Sequence, residues 1–289
     1  MLKVANTIKP PIGQQIFISS GTFTVPENCY SICAVMVGAG GSNQASTYKS
    51  GGGGGALRYI NDLAVIPGQQ LTAVVGEAFE GSDGNPSHLL ANGNIVASAG
   101  GGEAAETNHT ENTYWYYYAN GGSGSGGSGG GSGGRGMGKA YDNSYAGGGG
   151  GAGGYSGNGG VGSNGQGMPT DGTGGAGGGG GWGHTGTYTP GAGGGVGING
   201  EGSSGASGYT GNLPMIGGYG GSGGENGGRA TTDGGSTTGG QYGGGAGGCR
   251  DSNRAPSLGG PGVVRIIWGD NRYFPSTNTS EMYELIKDK

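Results

Sequence analysis

The chain has 289 residues, 84 of them glycine, with a formal net charge of −5 and only 11% charged side chains. A nucleic-acid binder needs a basic stripe to meet phosphate, whereas residues 121–262 hold five basic residues (Arg135, Lys139, Arg229, Arg250 and Arg254) against six acidic ones. No stretch approaches the roughly 18 apolar residues of a membrane span, and the opening MLKVANTIKPPIGQQ lacks the apolar run of a signal peptide, so neither nucleic acid nor membrane insertion is expected.

The first hundred residues read as short strands and tight turns. Residues 15–19 and 22–25 are short strands around Gly21, and 30–37 is a longer apolar strand expected to be buried on both faces. Segments 57–66 and 71–75 flank Pro67-Gly68, the two central residues of a type II turn. Segments 89–91 and 95–97 flank Asn92-Gly93, the strongest short hairpin signal. An antiparallel β-sandwich is expected over 1–112. Cys29 and Cys33, if four apart on one strand, would have Cα atoms roughly 13 Å apart, beyond the ~7 Å limit for a disulfide. They are expected to be free, buried thiols. Cys249 and the histidines His88, His109 and His184 show no zinc-ligand spacing.

Glycine then dominates: residues 121–262 include 65 glycines in 142 positions. Glycine has no side chain to bury and loses the most conformational freedom on ordering. The segment is therefore either disordered or held by its own main chain. Runs such as 147–154, 174–181 and 191–197 alternate with stretches that carry Tyr, Trp, Leu, Met and Ile. A flexible linker would be Gly/Ser monotony, and collagen would need glycine at every third residue with abundant proline. The recurring aromatic interruptions favour an ordered bundle of extended three-residue-per-turn helices of the polyglycine-II kind, bonded amide to carbonyl between neighbours. Such a bundle is not expected to fold without an anchor. Residues 263–268, VVRIIW, supply one, as a strand that returns to close the sandwich. The expected organisation is a mainly β chain: sandwich 1–112, polyglycine-II bundle with aromatic loops 113–262, and a closing strand with a short tail over 263–289. A helix is expected near 280–289.

These residues bring a family into view. Gly21-Thr22-Phe23-Thr24-Val25-Pro26, then Ala34-Val35-Met36-Val37-Gly38-Ala39-Gly40-Gly41, Gly51–Gly55, Ile66-Pro67-Gly68-Gln69 and Val74-Val75-Gly76 resemble the glycine-rich domain of bacteriophage tail-fibre and tail-tip proteins. Val264-Arg265-Ile266-Ile267-Trp268-Gly269 with Arg272-Tyr273-Phe274-Pro275-Ser276-Thr277 resembles the closing segment of marine phage structural proteins. The glycine field is similar to the polyglycine-II bundles of T-even-like fibre-tip adhesins, and more loosely to glycine runs in an animal receptor kinase ectodomain and an arthropod antifreeze protein. The chain lacks the strict Gly-X-X register and disulfides of the antifreeze protein. The resemblance implies a virion protein on a tail or other external appendage. It would contact a host-surface receptor, protein or glycan, through loops at the bundle tip, without a cofactor, and would bind other virion proteins.

Gly133-Gly134-Arg135-Gly136-Met137-Gly138-Lys139-Ala140 nearly matches a phosphate-binding P-loop, but Ala140 stands where the metal-binding Ser or Thr belongs. No nucleophile elbow, metal motif or paired carboxylate has a scaffold around it, and no enzymatic activity is expected. The aromatic residues are the stronger signal. Tyr114, Trp115, Tyr116, Tyr117, Tyr118, Tyr141, Tyr145, Trp182, His184, Tyr188 and Tyr209 lie among Ser, Gly and Asn, the mixture that paratopes use. They are the candidate receptor-binding residues. The alternatives are a decoration, collar or baseplate component whose rings face other virion proteins, or a cellular surface or filament protein.

Overall fold

The computed structural model describes residues 11–43, 50–105, 116–139, 146–164, 167–181, 190–208, 217–229, 237–248 and 256–276. It is mainly β, and every strand pair in its sheets is antiparallel. The strands are β1 (Gly13–Phe17), β2 (Gly21–Thr24), β3 (Ser31–Val37), β4 (Leu57–Ala64), β5 (Gln70–Val74), β6 (Ser87–Ala91), β7 (Asn94–Ala99), β8 (Tyr116–Ala119), β9 (Gly124–Gly126), β10 (Gly136–Lys139) and β11 (Val263–Trp268). One sheet runs β1-β11-β3-β4, a second runs β2-β5-β6-β7-β9, and β10-β8 form a separate ribbon.

The turn chemistry behaves as the sequence dictates. Asn92 and Gly93 adopt φ of 51° and 76°, and Ala91 pairs with Asn94 across the hairpin. Positive φ at both central residues is the type I′ pattern, whose twist matches the flanking strands. Gly68 has φ 82°, and the Gln69 amide donates to the Ile66 carbonyl at 3.0 Å, closing the Pro67-Gly68 turn. The two strands beside this turn belong to different sheets, so it is a corner between layers.

The two larger sheets stack across one apolar core containing Phe23, Leu71, Ala73, Leu89 and Ala97 from one sheet and Ile32, Ala34, Met36, Val264 and Ile266 from the other. The return strand β11 sits between β1 and β3, with Val263 opposite Val37 and Trp268 opposite Ile32. Its neighbour β3 is buried on both faces, as its unbroken apolar run requires. The second face of these strands meets another cluster: Cys33, Val35, Val37, Leu57, Val263 and Ile267 pack on Ala152, Tyr155, Val196, Ile198 and Phe274. Here the sheet meets the glycine-rich segments. Arg265 also lies on this face, 2% exposed, donating to the Ile198 carbonyl at 2.6 Å and through Nε to Gln14 Oε1 at 3.1 Å. Desolvation is the main cause that lowers its pKa, to about 10.

Cys29 and Cys33 are free and buried. Only Cys33 is on a strand; the Cys29 amide bonds the Pro26 carbonyl in the preceding turn. Burial raises both thiol pKa values, which keeps them protonated and poorly nucleophilic.

Beyond the strands the backbone is extended and bonded from run to run. The run 146–154 displays the rule. Gly148, Gly151 and Gly154 donate to Ser163, Gly160 and Gly157; Gly149 and Ala152 donate to Gly191 and Gly194; Gly150 and Gly153 donate to Gly52 and Gly55, all at 2.8–3.2 Å. Its carbonyls follow the same rhythm: Gly148, Gly151 and Gly154 accept from Met137, Gly134 and Gly131, Gly149 and Ala152 from Gly180 and Gly177, and Gly150 from Gly245. Successive residues therefore point in three directions, and every third residue returns to the same neighbour. At most glycines of the run this spacing leaves no room for a side chain. A Cβ on Gly54, Gly150 or Gly151 would lie 2.0–2.1 Å from a facing carbonyl oxygen. The array also takes in 38–43, 50–56 and 100–105, which continue β3, precede β4 and follow β7.

Three strands fall where glycine and aromatic interruptions hide the usual signal. β9 is Gly-Ser-Gly and still pairs with Ala97–Ala99 of β7, because a backbone ladder needs no side chain. β8 and β10 pair Tyr116–Ala119 with Gly136–Lys139. The tail 277–289, with its expected helix, lies outside the described residues.

One exposed carboxylate ties two outer runs. Asp171 Oδ1 accepts the Ser207 amide at 2.7 Å, and that amide, followed by the Ser207 hydroxyl, lowers the Asp171 pKa. A depressed folded-state pKa contributes stability above the unfolded value, near 3.9, and loses it as pH falls through the folded value. Acid titration followed by near-ultraviolet dichroism should find Asp171→Asn less stable than the native chain at pH 6. The gap between the two should narrow progressively as pH falls below the ordinary aspartate value near 3.9. A constant gap across this range would remove the assignment.

Candidate functional site

The runs alternate in direction: 38–43 leads away from β3, and 50–56 returns to β4. The same alternation repeats along the chain, so the segments 44–49, 106–115, 140–145, 182–189, 209–216, 230–236 and 249–255 are all flanked by the ends of runs remote from the sheets. Those flanking residues form one continuous hydrogen-bonded patch. The Asn43 amide donates to Ser257 and the Ala105 amide to Ser42. Gly51 bonds Met137, Gly248 bonds Gly147, Gly191 bonds Gly181 and Gly208 bonds Gly179. The turns nearer the sheets, around Tyr155, Gly200, Ser222 and Tyr242, lie at the opposite end.

Hydroxyl and amide side chains finish the patch. Ser42, Asn43, Ser50, Ser163, Thr237 and Ser257 are at most 1% exposed. The Gly259 amide donates to Ser42 Oγ, and the Thr237 amide to Ser257 Oγ, both at 3.1 Å. Thr237 Oγ1 donates to the Pro190 carbonyl at 2.8 Å, and Asn43 Nδ2 to the Gly247 carbonyl at 3.2 Å. Where the three-way pattern stops, backbone groups lose a neighbour and a short polar side chain replaces it. The result is a firm base from which the intervening segments leave.

The ribbon β8–β10 rises at this end. Tyr117 and Tyr118 are half-buried there. The Arg135 guanidinium carbon lies 4.8 Å from the Tyr118 ring centroid, a cation–π contact that fixes the ring. Tyr116 is described by its backbone alone, opposite Lys139. Tyr114, Trp115, Tyr141, Tyr145, Trp182, His184, Tyr188 and Tyr209 lie outside the described residues. Tyr219, another aromatic of the field, is 41% exposed, and its backbone is bonded to Ala206 and Gly178 within the array.

A cleft of about 390 Å³ opens at the opposite end, beside Tyr30, Cys33, Asp62, Trp268, Arg272 and Tyr273. Sequence reasoning did not single it out, because its residues come from three separated strand ends. Asn28, Asp62 and Asn271 on its rim adopt positive φ, a conformation that Asn and Asp tolerate. Among the described residues no group of three or more His, Cys, Asp or Glu side chains could hold a metal ion, and no described helix is long and apolar enough to cross a membrane.

No family model matches this chain, and no curated protein matches it in sequence.

Proposed function

We propose that this chain is a phage tail-fibre or tail-tip protein whose glycine runs form a polyglycine-II bundle on a β-sandwich. The segments leaving the remote end of the bundle recognise a host-surface receptor. Successive residues of a polyglycine-II helix point about 120° apart. The three-residue period of donors and acceptors in 146–154 is what that geometry requires, as is the number of neighbours it bonds. At about 3.1 Å per residue, a nine-residue run reaches roughly 28 Å from the sheets, long enough to carry a recognition surface clear of its mount.

One observation carries the recognition reading: the aromatic segments all connect runs at a single hydrogen-bonded end. Rigid rings among Ser, Gly and Asn on a fixed base lose little freedom on binding. Aromatic faces with polar edges suit sugars and receptor loops alike. The binding is non-covalent and uses no cofactor.

The test is adsorption. Trp115→Ala, Trp182→Ala and Tyr188→Ala are expected to lower adsorption to host cells singly, and together by about 100-fold or more, on the scale of buried aromatic anchors. The melting temperature should stay constant. Unchanged adsorption and host range with all three replaced would reject receptor recognition. Lost assembly into particles would instead favour rings that face other virion proteins.

A further inference from the structure

The two stacked sheets are closed on one side and open on the other. At β4 and β9 they are stitched together. The Tyr59 amide bonds the Gly129 carbonyl at 3.0 Å, the Ser128 amide bonds the Tyr59 carbonyl at 2.7 Å, and Arg58 donates to the Gly124 and Gly130 carbonyls at 2.7 and 3.1 Å. On the other side, β1 and β2 are the terminal strands of their sheets. Among the described residues β1 pairs with β11 alone.

Among the described residues β1 itself carries none of the usual protection, although Pro10 and Pro11 precede it in the sequence. Natural edges are blunted by charge, proline or bulges, but β1 contains neither proline nor charge, and residues 10–26 carry no charged side chain at all. Ile12, Ile16 and Ile18 are 53%, 43% and 74% exposed. Ile16 lies in β1 on the face that bears Arg265 and Ile267 farther into the sheet, and Ile12 and Ile18 flank the strand at positions of the same parity. The glycine array covers that face over β11 and β3 and leaves these isoleucines bare. An uncharged, unpaired backbone edge with apolar side chains at every second or fourth position is a template for an extended strand.

We infer that this edge pairs with the β1 edge of a second copy of the chain. The arrangement is a two-fold symmetric dimer in which the two β1-β11-β3-β4 sheets join into one continuous sheet. Antiparallel pairing of identical strands is self-complementary under a two-fold axis. Centred on Gln15, it sets Ile12 opposite Ile18 and Gln14 opposite Ile16. Each copy bears a net charge of −5, so an uncharged seam lets two copies meet where repulsion is least. The dimer places both remote ends of the glycine arrays away from the seam. This inference stands on the sheet edge and does not depend on what those ends bind.

Sedimentation velocity of the full chain from about 1 to about 100 μM, the range in which a micromolar contact becomes populated, tests it. The native chain should sediment as a dimer at the upper end, with backbone amides of β1 protected from deuterium exchange. The Ile16→Lys/Ile18→Lys chain should remain monomeric throughout, with an unchanged melting temperature because both side chains are exposed. A native chain that stays monomeric at every concentration overturns the inference, even if it captures a strand from another protein. A dimer that survives the double replacement also overturns it.

Discussion

Replacing Gly151 by alanine should cost about 3 kcal/mol or more of stability, at the upper end of overpacking penalties. In a chain of this size that lowers the melting temperature by roughly 6–12 °C. Gly151 is at the centre of the array. Its amide donates to Gly160 at 2.8 Å and its carbonyl accepts from Gly134 at 2.8 Å. A methyl group there would lie 2.1 Å from the Gly177 carbonyl oxygen and 2.6 Å from its carbon. These are backbone atoms, so no rotamer change relieves the clash. The run must move, and the six segments bonded to 146–154 move with it. Gly167 is the control, because a Cβ there meets nothing nearer than Asn164 Oδ1 at 3.3 Å. Gly167→Ala should change stability by no more than about 0.5 kcal/mol, as surface substitutions do. Thermal unfolding followed by calorimetry separates the two variants. Equal melting temperatures would mean that the runs do not pack through their main chains.

The second large effect is expected where the array meets the sheet. Tyr155 is 1% exposed, and its ring stacks on Phe274 at 5.9 Å and lies 6.1 Å from Tyr59. Its hydroxyl accepts the Gly200 amide at 3.1 Å and donates to the Gly197 carbonyl at 3.2 Å. Burial pushes its pKa strongly upward, so the hydroxyl stays protonated and able to donate. Tyr155→Ala should cost about 3–5 kcal/mol, the usual penalty for deleting a buried ring. Tyr155→Phe keeps the ring and should cost about 1–2 kcal/mol through two unpaired backbone groups. Hydrogen exchange adds a second readout. With alanine, amides of 190–198 and 146–154 should exchange together with those of β3 and β11, because the ring couples the two layers. If only the sheet loses protection, the array is an independent folding unit and the coupling assigned to Tyr155 is wrong.

Local chemistry made much of the β layers legible. Asn92-Gly93 specified a hairpin through two positive φ values, and Pro67-Gly68 specified a tight turn, which only the fold showed to be a corner between sheets. The unbroken apolar run of β3 demanded burial on both faces, which forced it to the centre of a sheet, and the apolar residues of β11 marked it as the strand that returns to the sandwich. Those segments write their environment in side chains. β9 does not: Gly-Ser-Gly is a strand only because β7 offers it an open edge. Arg265 was equally opaque. A charged residue in an apolar strand gives no hint of the Ile198 carbonyl and the Gln14 amide that receive it, since these lie 67 and 251 residues away.

The amino-acid sequence by itself determined that the middle of this protein would be built without side chains, that a terminal strand would return to close the β layers, and that aromatic residues would gather between the glycine runs. Only the tertiary structure decided which run bonds which, and that the intervening segments leave from one end. The reason lies in glycine itself. A residue without a side chain excludes almost no neighbour and names none, so partners are chosen by the geometry of all the runs together. Only the anchoring β strands limit that choice.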